Sequence, residues 1–149
     1  MSPLRPILLA EDNPNDVELT LTALRGLKLT NEIVVVHDGA AVLDFLHLRN
    51  AFAGRTTGQP VVILLDLKMP KVDGLDALRQ IRSNPKWSML PIVILTSSRE
   101  EADLVKGYSL GANGYVVKPV DFDQFMSAVS HIGVFWALVN EPPPTLVQD

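Results

Sequence analysis

Five short apolar runs punctuate the chain, and four of them stop at a polar residue. Ile7-Leu8-Leu9-Ala10 runs into Glu11 and Asp12, and Val61-Val62-Ile63-Leu64-Leu65 runs into Asp66. Ile92-Val93-Ile94-Leu95 ends at Thr96, and Tyr115-Val116-Val117 ends at Lys118, with Pro119 directly after it. The fifth run is the β-branched Ile33-Val34-Val35-Val36. Continuous apolar runs this short read as strands buried on both faces rather than as helices.

Helical periodicity fills the intervals. Asn13 is placed to cap a helix with Pro14 in its first turn and Val17, Leu21 and Leu24 on one side. Asp38 can cap a second helix carrying Val42, Leu43, Phe45 and Leu46. Asp73-Gly74 opens a third, with Leu75, Leu78 and Ile81, which Asn84-Pro85 ends. Ser97-Ser98 can cap a fourth through Leu104 and Val105, closed by Gly111. Asp121 can cap a last one with Phe122, Phe125, Met126, Val129 and Ile132 at core spacing. The stretch from Arg49 to Pro60 reads as a long loop.

This (βα)5 alternation implies an α/β fold, a doubly wound five-stranded parallel sheet with helices on both faces. The acids after the first strand need the third strand beside them, which selects the flavodoxin-like order 2-1-3-4-5. In such a sheet the C-terminal strand ends share one edge, and ligands bind there. The chain therefore reads as one domain over residues 1–140, followed by an extended tail over 141–149 that starts with Pro142-Pro143-Pro144.

Composition narrows the function. Of 149 residues 47% are hydrophobic, enough for a full core. The net charge of −4 leaves no basic footprint for nucleic acid. No cysteine is present, so thiol catalysis, thiolate metal sites and disulfides are excluded. The apolar start is too short and too soon followed by Glu11, Asp12 and Asp16 for a signal peptide. Ile132 to Val139 is far below the roughly 20 residues that span a bilayer. A soluble, cytoplasmic protein is expected.

Three carboxylates, a hydroxyl and an amine thus converge at one sheet edge. Glu11, Asp12 and Asp66 repel one another, and a hard divalent cation relieves that repulsion. Mg²⁺ with oxygen ligands and retained waters is the natural choice. Asp12 and Asp66 are expected as direct ligands, Glu11 through a water, and the backbone carbonyl of Lys68 as a further donor. A carboxylate beside such a cation can also be a nucleophile. Asp66 is expected to accept a phosphoryl group, whose oxygens the cation, Lys118 and Thr96 would stabilise.

The chain resembles a response-regulator receiver domain of two-component signalling. The matching pieces are Leu9-Ala10-Glu11-Asp12-Asn13, Leu64-Leu65-Asp66-Leu67-Lys68-Met69-Pro70, Asp73-Gly74, Leu95-Thr96-Ser97, Gly111-Ala112-Asn113-Gly114-Tyr115 and Lys118-Pro119. The resemblance implies that Asp66 takes phosphate from a sensor histidine kinase, that Glu11, Asp12 and Asp66 hold Mg²⁺, and that Thr96 and Lys118 contact the phosphoryl group. It implies that Tyr115 is the aromatic switch, turning inward when Thr96 moves. A narrower similarity links the chain to stand-alone regulators of cyanobacterial and bacterial phytochrome kinases. It rests on the long loop around Gly54, on Asn84-Pro85, on Leu95-Thr96-Ser97-Ser98 and on Phe135-Trp136. Glu11 replaces the commoner Asp, and Lys68 places a long cation where the wider family varies; Lys68 is expected to tune the lifetime of the acyl phosphate.

Blander readings stand beside these. A single acid at a strand end is often only a helix cap, and Asp73, Asp121 and Asp123 are read as caps or solvated residues, not site residues. His37, His47 and His131 share no metal spacing. Phe135, Trp136 and Val139 widen the apolar surface of the last helix, so a homodimer through it and its neighbours is expected. The chain is read as a phosphoacceptor and not a multiple-turnover enzyme, acting on a partner or passing phosphate to a histidine phosphotransfer protein. An aspartyl-nucleophile phosphatase of the haloacid dehalogenase kind is an alternative, but its second acid would sit where Lys68 stands. A receiver-like interaction module that is never phosphorylated is another.

Overall fold

The computed structural model describes residues 5–25, 31–56, 58–97 and 111–131. Its strands are β1 (Ile7–Ala10), β2 (Ile33–Val36), β3 (Val62–Asp66), β4 (Ile92–Thr96) and β5 (Gly114–Val117). Its helices are α1 (Pro14–Leu24), α2 (Gly39–His47), α3 (Gly74–Ser83) and α4 (Phe122–His131). All strand pairs are parallel, in the order β2-β1-β3-β4-β5. The expected sheet is the one found.

Strand parity builds two cores. Successive side chains on a strand point to opposite faces. Ile7, Leu9, Val62, Leu64, Val93, Leu95 and Val116 pack with Ala23 and Leu24 of α1 and Phe125 and Val129 of α4. Leu8, Ala10, Ile63, Leu65, Ile92 and Ile94 pack with Val42, Phe45 and Leu46 of α2 and Leu78 and Ile81 of α3. Because both faces are covered, β1, β3 and β4 are buried along their whole length, whereas the edge strands β2 and β5 are partly open.

The caps follow the sequence. Asn13 accepts hydrogen bonds from the amides of Asn15 and Asp16, Asp38 from Ala41, Asp73 from Asp76 and Asp121 from Gln124. Each satisfies amides that a helix start leaves open. Gly74 is required where α3 begins, since a Cβ there would overlap the carbonyl oxygen of Asp66. This close approach seats α3 against the end of β3.

Some expectations need correction. The Arg49–Pro60 stretch is not plain loop: it contains a 3-10 turn, Asn50–Phe52. Phe52 stacks edge-on against Phe45 at 5.1 Å, and the Arg55 guanidinium lies 3.9 Å above the Phe45 ring. Those contacts hold the segment on α2. Phe122, the first residue of α4, is exposed rather than a core residue, while Phe125 and Val129 are buried. The helix expected through Leu104 and Val105 lies outside the described residues. So do Phe135, Trp136, Val139, the domain end at residue 140 and the Pro-rich tail.

Candidate functional site

Register brings the site together. Ala10 lies opposite Leu65, so Glu11 stands level with Asp66, the last residue of β3. Thr96 closes β4 opposite Val117, and its carbonyl accepts the Lys118 amide at 2.7 Å. Glu11, Asp66 and Lys118 share the strand parity that faces α1 and α4, so their side chains meet on that side. The Lys118–Pro119 bond is cis.

The Lys118 Nζ lies 3.0 Å from Oε1 of Glu11, 3.0 Å from Oδ2 of Asp16 and 3.3 Å from Oδ2 of Asp66. Its side chain is only 10% exposed. An ammonium has three donors, and here each one has a carboxylate. Backbone holds the second oxygens of the two buried acids: Oε2 of Glu11 accepts the Asn13 amide at 3.2 Å, and Oδ1 of Asp66 accepts the Lys68 amide at 3.3 Å. Glu11, Asp12, Asn13, Asp16, Asp66, Lys68, Thr96, Ser97 and Lys118 line a cleft of about 220 Å³.

The electrostatics are strained by burial. Glu11 is 0% exposed, and burial first, then its hydrogen-bonded neighbour Asp66, pushes its carboxyl up to about 7, against the pull of Lys118. Burial alone would lower Lys118; Asp16 and Glu11, with Asp66, outweigh it and hold the ammonium above the usual lysine range. The cluster therefore carries more negative charge than one lysine can balance.

Oxygen atoms of Glu11, Asp12 and Asp66 lie within 4.8 Å of one another. Hard oxygen donors at that spacing, with an excess of buried negative charge, fit a divalent cation such as Mg²⁺. Of the expected site residues, Glu11, Asp12, Asp66, Lys68, Thr96 and Lys118 meet at this cleft, and Tyr115 does not line it. Tyr115 stands on β5 with its residue 42% exposed, so it faces solvent here. The sequence reading missed Asp16 as a member of the site. Its signal was its place in the first turn of α1, four residues after Asp12.

A profile of the response regulator receiver domain matches residues 7–130. The chain belongs to this family. Among solved structures, the bacteriophytochrome response regulator RtBRR is 55% identical, with a TM-score of 0.84 over 97% of this chain and 87% of that one. Response regulator Rcp1 of Synechocystis sp. is 33% identical over 135 residues, 91% of this chain and 90% of Rcp1. The Mn²⁺-bound form of Rcp1 superposes with a TM-score of 0.73 over 89% of this chain and 94% of Rcp1. The phosphorylated cyanobacterial phytochrome response regulator RcpA is 34% identical, with a TM-score of 0.74 over 89% of this chain and 94% of that one. The receiver domain described here is therefore a response regulator of two-component signalling with phytochrome-associated relatives. Among its described residues no helix is long and apolar enough to cross a membrane.

Proposed function

We propose that this receiver domain is phosphorylated on Asp66 by a sensor histidine kinase of the phytochrome class. The observation that carries the proposal is the Asp66 carboxylate, buried at the end of β3, 3.3 Å from Lys118 and grouped with Glu11 and Asp12. A carboxylate oxygen of Asp66 attacks the phosphorus of a phosphohistidine. The new P–O bond forms as the N–P bond breaks, and the imidazole leaves with the electron pair. Lys118 offers its N–H donors to the transferring oxygens, and Thr96, buried beside the cleft, offers its hydroxyl. Asp12, Asp66, the Lys68 carbonyl and, through a water, Glu11 would hold Mg²⁺, which would supply positive charge to offset that of the phosphoryl oxygens. Water later attacks the same phosphorus, releasing inorganic phosphate and restoring the carboxylate. Each phosphorylation consumes a donor supplied by the kinase, so the protein is a switch and not a multiple-turnover enzyme.

The phosphorylated state is read out through Thr96 and Tyr115, whose ring turns inward from its exposed position. Output runs through a homodimer built on the last helix and its neighbours, or through transfer to a histidine phosphotransfer protein. RtBRR and RcpA, regulators of bacteriophytochrome and cyanobacterial phytochrome systems, support the kinase class. The pairing is tested with an autophosphorylated, labelled bacteriophytochrome kinase. Label is expected on the wild-type chain and not on Asp66→Asn; equal transfer from unrelated histidine kinases would remove the pairing. Sedimentation at tens of micromolar tests the dimer, and a monomer there would remove it.

A further inference from the structure

Lys118 has no spare donor. Its three N–H groups meet Glu11, Asp16 and Asp66 at 3.0, 3.0 and 3.3 Å. A phosphoryl group on Asp66 needs at least one of those donors, so one existing bond must be given up. The three carboxylates are not equivalent. Glu11 is 0% exposed, so no solvent reaches its oxygens to replace a lost ammonium bond. Asp66 is the acceptor itself. Asp16 sits on the rim, in the first turn of α1, with its side chain 27% exposed, so water takes over its oxygens on release.

We infer that Asp16 is a positioning residue: it holds Lys118 over Asp66 in the unphosphorylated protein and is the acceptor that the phosphoryl group displaces. The inference rests on the reading of Asp66 as phosphoacceptor. Two consequences follow from the geometry. Asp16 competes with the phosphoryl group for Lys118, and its negative charge stands at the mouth of the cleft that a phosphoryl group enters. It also ties the start of α1 to the end of β5, across 102 positions of sequence. Phosphorylation therefore releases a link between two elements that flank the site.

The test uses the full chain and beryllofluoride with saturating Mg²⁺ as the phosphoryl mimic. Asp16→Asn keeps the size and one acceptor oxygen but removes the charge. It is expected to bind beryllofluoride about 5-fold more tightly than wild type, the range of one partly exposed ion pair. The acyl phosphate made from acetyl phosphate is expected to last longer in the variant by a similar factor. Asp16→Glu is expected to restore wild-type behaviour. A second readout needs neither ligand: in ¹⁵N-lysine-labelled, metal-free protein, the Lys118 ammonium signal, assigned with Lys118→Arg, is expected to shift or vanish in Asp16→Asn and return in Asp16→Glu.

A Lys118 signal unchanged in Asp16→Asn would overturn the anchoring role. Wild-type binding with equal or weaker binding by Asp16→Asn would overturn the displacement and leave the phosphoacceptor reading standing. A wild-type chain that takes no beryllofluoride would remove that reading and this inference together.

Discussion

Two part-buried cations of this domain are held in opposite ways. Arg82 of α3 donates to neutral oxygens: the carbonyls of Gly111 at 2.8 Å, Trp87 at 3.3 Å and Ser88 at 3.1 Å, and Oδ1 of Asn113 at 2.9 Å. Burial lowers its pKa, and among the described residues it has no acid partner. Lys118 donates only to carboxylates, which raise its pKa despite burial. Arg82 is a clamp: its planar fork fastens the end of α3 to the turn entering β5, where Gly111 takes a φ of +96°. None of its partners is an anion that a ligand would replace. Lys118 is a point charge among anionic oxygens, and one anionic oxygen can be exchanged for another. The same burial thus gives rigidity in one place and exchangeable binding in the other.

Replacing each cation separates the two roles. Arg82→Met is expected to lower unfolding stability by about 3 kcal/mol, since four hydrogen bonds, two of them part-buried, are lost. Urea denaturation measures this, and beryllofluoride affinity of the folded variant is expected to stay at the wild-type value. A loss of affinity there would break the distinction. Lys118→Met is expected to do the reverse. Beryllofluoride affinity falls about 30-fold, the worth of one charge-assisted hydrogen bond, and stability falls less than in Arg82→Met because Glu11 can take up a proton.

Of these two regions, the acid site is the one that should respond to pH near neutrality. Glu11 has its carboxyl raised in the folded state, so its contribution to stability is complete below about pH 4.5 and lost as pH rises through about 7. Without divalent cations, wild-type stability relative to Glu11→Gln is expected to fall by about 1–2 kcal/mol across that window. Saturating Mg²⁺ favours the ionised carboxylates and flattens the fall. Thermal unfolding at several pH values checks it, and equal slopes in both proteins would contradict it. The smallest effect belongs to Lys68, which is exposed at the cleft mouth. Lys68→Ala is expected to shorten the acyl-phosphate lifetime about 3-fold, in keeping with an exposed charge; an unchanged hydrolysis rate would remove that role.

The same contrast explains what could be read from the sequence. Glu11, with Asp12 next to it, Asp66, Thr96 and Lys118 follow or close an apolar run, and strand alternation with parallel order brings such ends to one edge. That logic needs only local pattern and topology. Asp16 lies inside a helix, in a position where an acid also serves the helix start. Only the geometry of α1 against β5 shows that it reaches Lys118. Arg82 was hidden for another reason: its partners are mostly backbone carbonyls, which leave no mark in composition or spacing. Phe122 follows the helical spacing of Phe125 and Val129, but periodicity does not reveal that the first residue of α4 stays exposed. The 3-10 turn at Asn50–Phe52 was similarly concealed, because it depends on Phe52 and Arg55 docking on Phe45.

The central claim is that Asp66 is a phosphoacceptor whose chemistry needs a divalent cation. Incubation with acetyl phosphate, with and without Mg²⁺, followed by intact-mass spectrometry of wild type and Asp66→Asn, tests it directly. One added phosphoryl group in the wild type, dependent on Mg²⁺ and absent from Asp66→Asn, is the expected result. A gain of equal size in Asp66→Asn, or no gain with Mg²⁺ from either acetyl phosphate or a phosphorylated kinase, would contradict it.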